Sequence, residues 1–239
     1  MSRQRVLSLT SRAVLVGVLA LSITCCSARQ ENGPLVEDVL DDRPCAIPCW
    51  QEIVPGQTTE QEAIDILSGK DRPRYIGRPG ISHLRNKDET IIRWKTKGAK
   101  TPRRISSTSM MWIREGIVHH THLVFDPGLT AQMVVSRWGE PNKFFVYVHG
   151  TEYLSERARL CYPELGVEFI VFLDFGRMPL TLNQDDQVLF ARLYAPMTVE
   201  QWLSEELDQD PWRYRPQDPD KILDWPGFGV IFREVVERI

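Results

Sequence analysis

Two groups of residues in this chain have the types and spacing to do chemistry. Cys45 and Cys49 enclose only three residues in "CAIPC", and three histidines fall within the four residues from His119 to His122. A close cysteine pair can form a disulfide, cycle between thiol and disulfide, or hold a soft metal ion. Neutral imidazoles can ligate a transition metal. Which chemistry is open to each group depends on the elements that carry it.

The cysteine pair can form a disulfide only if the chain turns between its members. An extended strand would hold the two Cα atoms about 13 Å apart, whereas a disulfide needs less than about 7 Å. Pro44 and Pro48 favour the turn. We therefore expect a structural disulfide between Cys45 and Cys49, with Cys161 as a buried free cysteine. The alternative pairing joins Cys161 to one of the other two.

The histidine group lies in a predicted strand. His120 and His122 point to one face of it because side chains alternate along a strand. With His83 or His149 nearby, they could hold a transition metal. No Cys or carboxylate stands at ligand spacing beside them, so a polar sheet face is the favoured interpretation. We predict no metal site and no other cofactor.

Catalytic motifs and a nucleic-acid-binding pattern are both missing from the sequence. It contains no G-x-S-x-G, P-loop, G-x-G-x-x-G or H-E-x-x-H pattern. The formal net charge is -3, and no Lys/Arg cluster is interleaved with aromatic residues, as a nucleic-acid interface requires. We predict no catalytic residue, no enzymatic activity and no nucleic-acid partner.

The first 25 residues have the pattern of an export signal. Arg3 and Arg5 precede an apolar stretch from Ala13 to Ile23, which is too short for a bilayer that takes about 20 residues to cross. A charged start followed by a short apolar stretch is typical of a secretory signal. We therefore expect an extracytoplasmic protein, which becomes more acidic once the arginines of the signal are removed.

The stretch "TCCSA" follows, with cysteine in place of an ordinary cleavage site. It resembles a bacterial lipoprotein signal, in which the modified cysteine follows an aliphatic residue and small residues. The resemblance implies lipidation of Cys26, with Ile23 in the aliphatic position, or alternatively of Cys25, with Ser22 in that position. Each buried CH₂ of an acyl chain contributes about 0.8 kcal/mol. The protein would then be stably anchored to the cell membrane or the outer membrane.

An exported lipoprotein with a C-x₃-C pair also resembles the thiol-redox and copper-carrier sites of thioredoxin-like proteins. Those sites place the pair after a strand and before a helix, and a proline directly follows the second cysteine. In this sequence Trp50 stands at that position and no strand is predicted before Cys45. A redox or copper-carrier role of Cys45 and Cys49 is therefore the alternative function rather than the first.

The chain repeats one pattern: Pro-Gly-x-Thr, an amphipathic segment, and a closing Gly. It occurs from Pro55 to Gly69 and from Pro127 to Gly139. Thr58, with Gln61 three residues later, predicts a capping box in the first copy, and Thr130 predicts the N-cap of the second helix. About four predicted strands follow each helix. We therefore expect an α+β fold of two tandem helix-plus-antiparallel-sheet units packed into one body.

The domain boundaries follow from this repeat and from composition. We predict a lipoprotein signal peptide at 1–25, a flexible tether at 26–43, a first helix-plus-sheet unit at 44–126, a second unit with a C-terminal helix at 127–210, and an irregular C-terminal tail at 211–239. The C-terminal helix is expected to begin after Thr198 and to carry Trp202, Leu203 and Leu207.

The repeated pattern resembles the small α/β unit of the BamE/SmpA/OmlA-type outer-membrane lipoproteins, and tandem copies resemble the beta-lactamase-inhibitor-protein fold. The residues that carry the resemblance are Pro127, Gly128, Thr130, Val134, Trp138, Gly139 and Pro141, and more weakly Pro55, Gly56, Thr58, Ile64, Leu67 and Gly69. The chain also resembles bacterial lipoproteins that open with "PCW…I.PG.T", here "PCWQEIVPGQTT".

The resemblance implies a binding or scaffolding role at an envelope surface. Antiparallel sheets with helices on one face leave the other face free to meet a partner. We predict that a sheet face containing some of Trp94, Trp112, Phe145 and Tyr147 contacts an envelope protein. The alternative is that these aromatic residues belong to the core.

Overall fold

A nine-stranded sheet dominates the computed structural model, which describes residues 34–83, 89–96, 108–125, 127–149, 155–173, 180–206, 222–231 and 236–238. The strands are β1 (Gly80–His83), β2 (Glu89–Lys95), β3 (Thr108–Arg114), β4 (Ile117–Val124), β5 (Lys143–His149), β6 (Ser155–Tyr162), β7 (Val167–Phe172), β8 (Leu180–Leu182), β9 (Val188–Tyr194), β10 (Gly229–Ile231) and β11 (Val236–Arg238). Their order in the sheet is β1-β2-β3-β4-β9-β7-β6-β5-β11, while β8 and β10 form a separate pair. Every pairing is antiparallel except that of β11 with β5.

The helices in the described residues are short. They are α1 (Pro34–Leu40), α2 (Glu60–Ser68), α3 (Ala131–Trp138) and α4 (Val199–Gln201), which continues as a π-helical turn at Trp202–Glu206. A single 3₁₀ turn, Pro163–Leu165, joins β6 to β7 within this part of the chain. None of these helices has the length and apolar character needed to cross a membrane.

The predicted architecture of two helix-plus-sheet units is wrong. β4 pairs with β9 from His120↔Tyr194 to Val124↔Phe190, so strands on both sides of the predicted boundary at 126 belong to one sheet. Residues Asn32–Ile239 form one compact unit. A strand at the edge of a sheet carries unpaired backbone N–H and C=O groups. β4 and β9 would each be such an edge, and they pair these groups with each other. The described residues therefore form one nine-stranded sheet, the separate β8–β10 pair and a few short helices, rather than two packed copies.

The predicted tether is also wrong for residues 34–40, which form α1. Leu35, Val36 and Val39 are buried, and their spacing marks one helical face. The Tyr75 hydroxyl donates a hydrogen bond to Asp38 at 2.7 Å. α1 is therefore part of the folded body, while residues 26–33 lie outside the described ranges.

The caps of α3 and α4 agree with the sequence prediction, whereas that of α2 is shifted by one residue. Thr130 caps α3, and Thr198 caps α4. The capping box of α2 joins Thr59 to Glu62, not Thr58 to Gln61. The Thr58 hydroxyl instead accepts a hydrogen bond from the backbone N–H of Val54 at 2.8 Å.

The predicted irregular tail contains two short strands in its described part. β10 pairs with β8, and β11 adds to the sheet beside β5. Leu223 also exchanges backbone hydrogen bonds with Phe144 of β5 at 2.8 Å. This part of the tail is therefore paired to the body. Leu207 and residues 207–221 lie outside the described ranges.

The two faces of the sheet differ because side chains alternate along each strand. The first face packs against α1, α2 and α3, which contribute Leu35, Leu67 and Val134 to the main core. It carries Ile92, Met111, Leu123, Leu193, Phe169 and Leu160. The second face, opposite, carries Met110, His122, Arg192, Glu168, Cys161 and Phe145.

The structure contains the Cys45–Cys49 disulfide, with Cα atoms 5.6 Å apart, and Cys161 is a buried free cysteine. The loop between the paired cysteines packs on the turn at Gly166. A Cβ atom added at Gly166 would lie 3.2 Å from Pro48 Cβ and only 2.2 Å from the Tyr194 carbonyl oxygen. The disulfide loop, the β6–β7 turn and the end of β9 therefore meet at a point where only glycine fits.

We expect Gly166→Ala to destabilise the protein much more than Gly116→Ala. Both glycines have positive φ, +67° and +75°, which costs an L-residue about 1–2 kcal/mol. A Cβ at Gly116 meets nothing within 4 Å, whereas at Gly166 overpacking adds about 1–3 kcal/mol. Urea unfolding of the two variants measures the difference. Equal losses would show that the backbone around Gly166 yields without cost.

Candidate functional site

The charged side chains of the sheet are sorted onto its second face. Where the structure describes the side chains of the nine-stranded sheet, this face carries seven cations and two anions: Arg93, Lys95, Arg114, Lys143, Arg157, Arg159, Arg192, Glu89 and Glu168. The formal charge of these residues is positive by five, whereas that of the whole chain is -3. The second face therefore has a net positive charge in an acidic chain, although Arg159, Arg192 and Glu168 on it are buried.

An arginine-aromatic strip crosses the middle of the second face. It consists of His122 on β4, Phe190 on β9, Phe172 on β7 and Arg157 on β6. The His122 ring stacks on Phe190 with centroids 4.8 Å apart, and Phe190 contacts Phe172 at 5.9 Å. The Arg157 guanidinium lies 4.6 Å from the Phe172 centroid. His122, Phe172 and Arg157 are half-buried, whereas Phe190 is only 6% exposed, so only part of the strip is accessible from outside.

A buried ion pair lies beside this strip. Arg159 Nη1 contacts Glu168 Oε2 at 3.1 Å, with both side chains at most 5% exposed. The Trp202 Nε1–H donates a hydrogen bond to the other carboxylate oxygen at 2.8 Å. Arg159 also lies 5.2 Å from the ring centroids of Phe145 and Tyr147. The fully buried Trp202 therefore covers the Arg159–Glu168 ion pair on the side of the second face nearest β5.

The four aromatic residues predicted to contact a partner are core residues instead. Trp94 lies on the first face and stacks on Trp50 at 5.2 Å. Trp112, Phe145 and Tyr147 lie on the second face but are 5%, 1% and 0% exposed. Alternation along a strand does not say which face is covered, which is why the prediction failed.

The sequence prediction also missed the residues that distinguish the second face. Arg157 and Arg159 alternate in "SERARLCY", and Arg192 stands within the apolar "VLFARLY". Charged residues repeating with period two inside otherwise apolar strands were the available signal. These arginines come together only because β6, β7 and β9 pair with one another.

The histidines do not assemble as the sequence suggested. β1, which holds His83, is three strands from β4, or about 14 Å, and β5, which holds His149, is four strands away, or about 19 Å. Neither backbone position is near His120 and His122. Within the described ranges, no group of three or more His, Cys, Asp or Glu residues is arranged to hold a metal ion.

His120 is held in its neutral form. Its ring stacks on Trp112 at 4.5 Å and its Nδ1 lies 3.0 Å from that of His119. Burial lowers the pKa of His120 well below its usual value, and nearby Arg192, His119, His122 and Arg114 lower it further. Protonation of this ring is therefore disfavoured by both desolvation and charge.

Neither cysteine site has the surroundings of a reactive thiol. Burial, and next the Glu168 carboxylate, raise the pKa of Cys161 well above its usual value, so its thiolate is disfavoured. Cys45 follows helix α1, and Cys49 precedes a turn rather than a helix. The strand, cysteine pair and helix of a thioredoxin-like site are thus not found around this disulfide. Cys25 and Cys26 lie outside the described ranges.

A scan against protein-family models, a search of the curated proteins and a search of the solved structures found no match. The resemblances stated above rest on the quoted sequence patterns.

Removing the Glu168 charge should destabilise the fold strongly. Glu168→Gln leaves Arg159 buried without its counter-charge, which costs about 3–5 kcal/mol. Asp224→Asn is the matched control, because it breaks the exposed Lys143–Asp224 contact of 2.7 Å, and exposed pairs contribute little. Urea unfolding at neutral pH compares the two. A Glu168→Gln variant as stable as the control would show that the buried pair contributes no net stability.

His120 should make the protein sensitive to acid. Because its folded pKa lies below the usual 6.5, the unfolded chain binds more protons as pH falls from about 6.5 towards the folded pKa. Stability is therefore lost in that window, by at most about 1.4 kcal/mol per pH unit. His120→Phe keeps the ring on Trp112 and should flatten this part of the profile, while His119→Gln keeps His120 and its slope. Parallel pH profiles for the native protein and His120→Phe would contradict the assignment.

Proposed function

We propose that this protein is a lipid-anchored extracytoplasmic binding or scaffold protein of the bacterial envelope, without catalytic activity, that recognises a protein partner through the second face of its sheet. The observation that carries the proposal is the sorting of side chains in the sheet. One face is apolar and packs under three helices, and the other carries every described charged side chain of the sheet.

The composition of the second face fits a protein interface. Arginine and aromatic side chains are enriched in protein interfaces, and they dominate the binding energy there. The half-buried members of the arginine-aromatic strip are held in place by stacking in the free protein, so binding does not have to order them. Preorganised contacts of this kind lower the cost of association.

The anchor would keep this surface close to the membrane. α1 begins at Pro34, eight residues after Cys26, and a fully extended chain of eight residues spans at most about 28 Å. A partner would therefore be a protein within or near the same membrane. The short reach of the anchor therefore favours a partner that belongs to an envelope assembly over a ligand that diffuses freely.

Membrane capture with the intact anchor tests this function. We expect Cys26→Ser to abolish incorporation of labelled palmitate and to release the protein from the membrane fraction, and Cys25→Ser to do neither. Affinity capture of the native protein from its own membrane should recover an envelope protein in stoichiometric amount. Capture of the released Cys26→Ser form should recover less of that partner, because the anchor no longer concentrates the protein and its partner at the same membrane.

Two results would contradict the proposal. If neither cysteine variant loses palmitate, the protein is not anchored in this way. If the native protein is recovered alone and its Cys45–Cys49 disulfide is readily reduced by mild thiols, the redox or copper-carrier alternative gains support instead.

A further inference from the structure

We propose that the partner contributes an extended segment of alternating acidic and apolar residues, which adds to the sheet as a further strand beside β1. This inference rests on the proposed function and deepens it, because it names the conformation and the chemistry of the segment that binds at the β1 border of the second face. It follows from the outer edge of β1, from the exposed side chain on that edge and from the cations that flank it.

β1 is an outer strand of the sheet. Among the described strands it pairs with β2 on one side, and none lies on its other side. Alternate residues of an antiparallel pair direct their backbone N–H and C=O groups to the partner strand, and the residues between them direct theirs away from it. Gly80 and Ile81 of this strand are exposed, Ile81 by 48%. The outer edge of β1 therefore offers backbone groups that an extended polypeptide matches in spacing.

On the first face, an added strand would meet Ile81. This residue pairs with Ile92 of β2, which is buried in the main core. Ile81 therefore continues a row of core side chains to the edge of the sheet, where it is left exposed. An apolar residue of the added strand would cover it, because directly opposite residues of neighbouring strands have their Cβ atoms about 5 Å apart. Every second residue of the segment should accordingly be apolar.

On the second face, an added strand would meet cations. Arg93 pairs with Gly80, the Lys95 carbonyl accepts a hydrogen bond from the Gly77 N–H at 2.8 Å, and Arg78 follows Gly77 in the chain. The side chains of Arg78, Arg93 and Lys95 are exposed, and no carboxylate in the described part of the chain forms an ion pair with any of them. The residues of the segment on this face should therefore be acidic.

Gly80 leaves the space between Arg93 and the added strand open. Arg93 lies on β2, two strand spacings, or about 10 Å, from the position of the added strand. An arginine and a glutamate side chain bridge that distance together. The residue between them is Gly80, which is exposed and has no side chain to intervene. A carboxylate of the segment can therefore reach the Arg93 guanidinium across β1.

The same cations disfavour a second copy of this chain at the edge. Two β1 edges brought together would have the same charge, and like charges across an interface weaken association. Positive charge and a neighbouring proline, here Pro79, are features that keep the edges of sheets from pairing with themselves. An acidic segment is attracted by the charge that repels a second copy, so the edge discriminates between the two.

Peptide binding tests the chemistry of the segment. The probe is the fluorescent heptapeptide Glu-Val-Glu-Val-Glu-Val-Glu, added to the purified full-length protein in a neutral detergent, and fluorescence anisotropy measures binding. We expect saturable binding of this peptide and binding weaker by about tenfold or more when lysines replace the glutamates. Serines in place of the valines should also weaken binding. Equal binding of the glutamate and lysine peptides would overturn the inference.

Methylation of the peptide's amide nitrogens tests whether the segment pairs as a strand. Alternate residues of a strand direct their N–H groups to the same side. Methylation of the three valines and methylation of the three glutamates that follow them should therefore have opposite results, one abolishing binding and the other leaving it within about twofold. Equal binding of the two methylated peptides would show that no strand is added.

Charge variants of the protein test the position of the segment. Arg78→Gln and Arg93→Gln should each weaken peptide binding about three- to fivefold, as for the loss of an exposed ion pair. Gln184→Glu changes the net charge by the same amount in the exposed turn before β9, which is four strand spacings, or about 19 Å, from β1. It should leave binding within about 1.5-fold, and thermal unfolding controls the folding of each variant. A loss for Gln184→Glu equal to that of the arginine variants would contradict the assigned position.

Capture from native membranes separates this inference from the proposed function. If the native protein recovers an envelope partner and the double variant Arg78→Gln/Arg93→Gln recovers it equally well, the function stands and β1 is not the docking site. If the native protein recovers no partner, the proposed function fails, whatever the peptide does. A dimer of the purified protein that the peptide dissociates would place a second copy at this edge and overturn the inference.

Discussion

The pairing of β4 with β9 is the contact on which the rest of the structure depends. It joins two runs of antiparallel strands that are far apart in the sequence, through five residue pairs from His120↔Tyr194 to Val124↔Phe190. Without it each run would have an exposed edge and half of a core. The pairing also places His122 on β4 against Phe190 on β9. The arginine-aromatic strip therefore exists only because the two strands meet.

Two irregularities in the strands decide which side chains reach the second face. Trp112 pairs with His120 and Ile113 with Val118, so His119 is an extra residue in β4. Beyond a bulge of this kind, each side chain points to the opposite face from the one it would have in a regular strand. Val118 therefore stays in the core, while His120, two residues later, lies on the opposite face.

Leu189 is the equivalent extra residue in β9. Ile170 pairs with Phe190 and Val171 with Val188, so Val188 belongs to the main core and Phe190 to the second face. Both bulges thus occur in the two strands that form the central pairing. A strictly regular β4 or β9 would have to bury either its valine or its aromatic ring on the wrong side.

The sequence predicted the local elements better than their assembly. The stretches "KFFVYVH" and "VLFARLY" are rich in the aromatic and β-branched residues that favour strands, and they form β5 and β9. Thr130 capped α3 as expected because its hydroxyl is placed by backbone geometry alone. α1 was missed because its apolar residues, Leu35, Val36 and Val39, stand in a polar stretch where a helix of seven residues is stable only through burial.

The assembly was not predictable because pairing between distant strands is chosen by the whole core. An internal repeat suggested two helix-plus-sheet units packed into one body, yet the same helix-and-strand order is compatible with one sheet. The candidate site shares this limit. The charges of Arg157, Arg159 and Arg192 were visible in the sequence, but only the observed register shows that they occupy one face, and only burial shows that Trp112 and Tyr147 are closed to a partner.

The closed and accessible parts of the second face support each other physically. Trp202, Glu168 and Arg159 form a buried polar cluster whose hydrogen bonds are satisfied on both carboxylate oxygens, and such a cluster tolerates few alternative packings. Arg159 and Arg157 project from the same strand, two residues apart, so fixing the first fixes the backbone that carries the second. The half-buried Arg157 is therefore supported by a rigid strand on one side and an aromatic ring beneath it. A cation held in this way loses little conformational entropy when it binds an anionic group, which is the physical reason to look for a partner at this face.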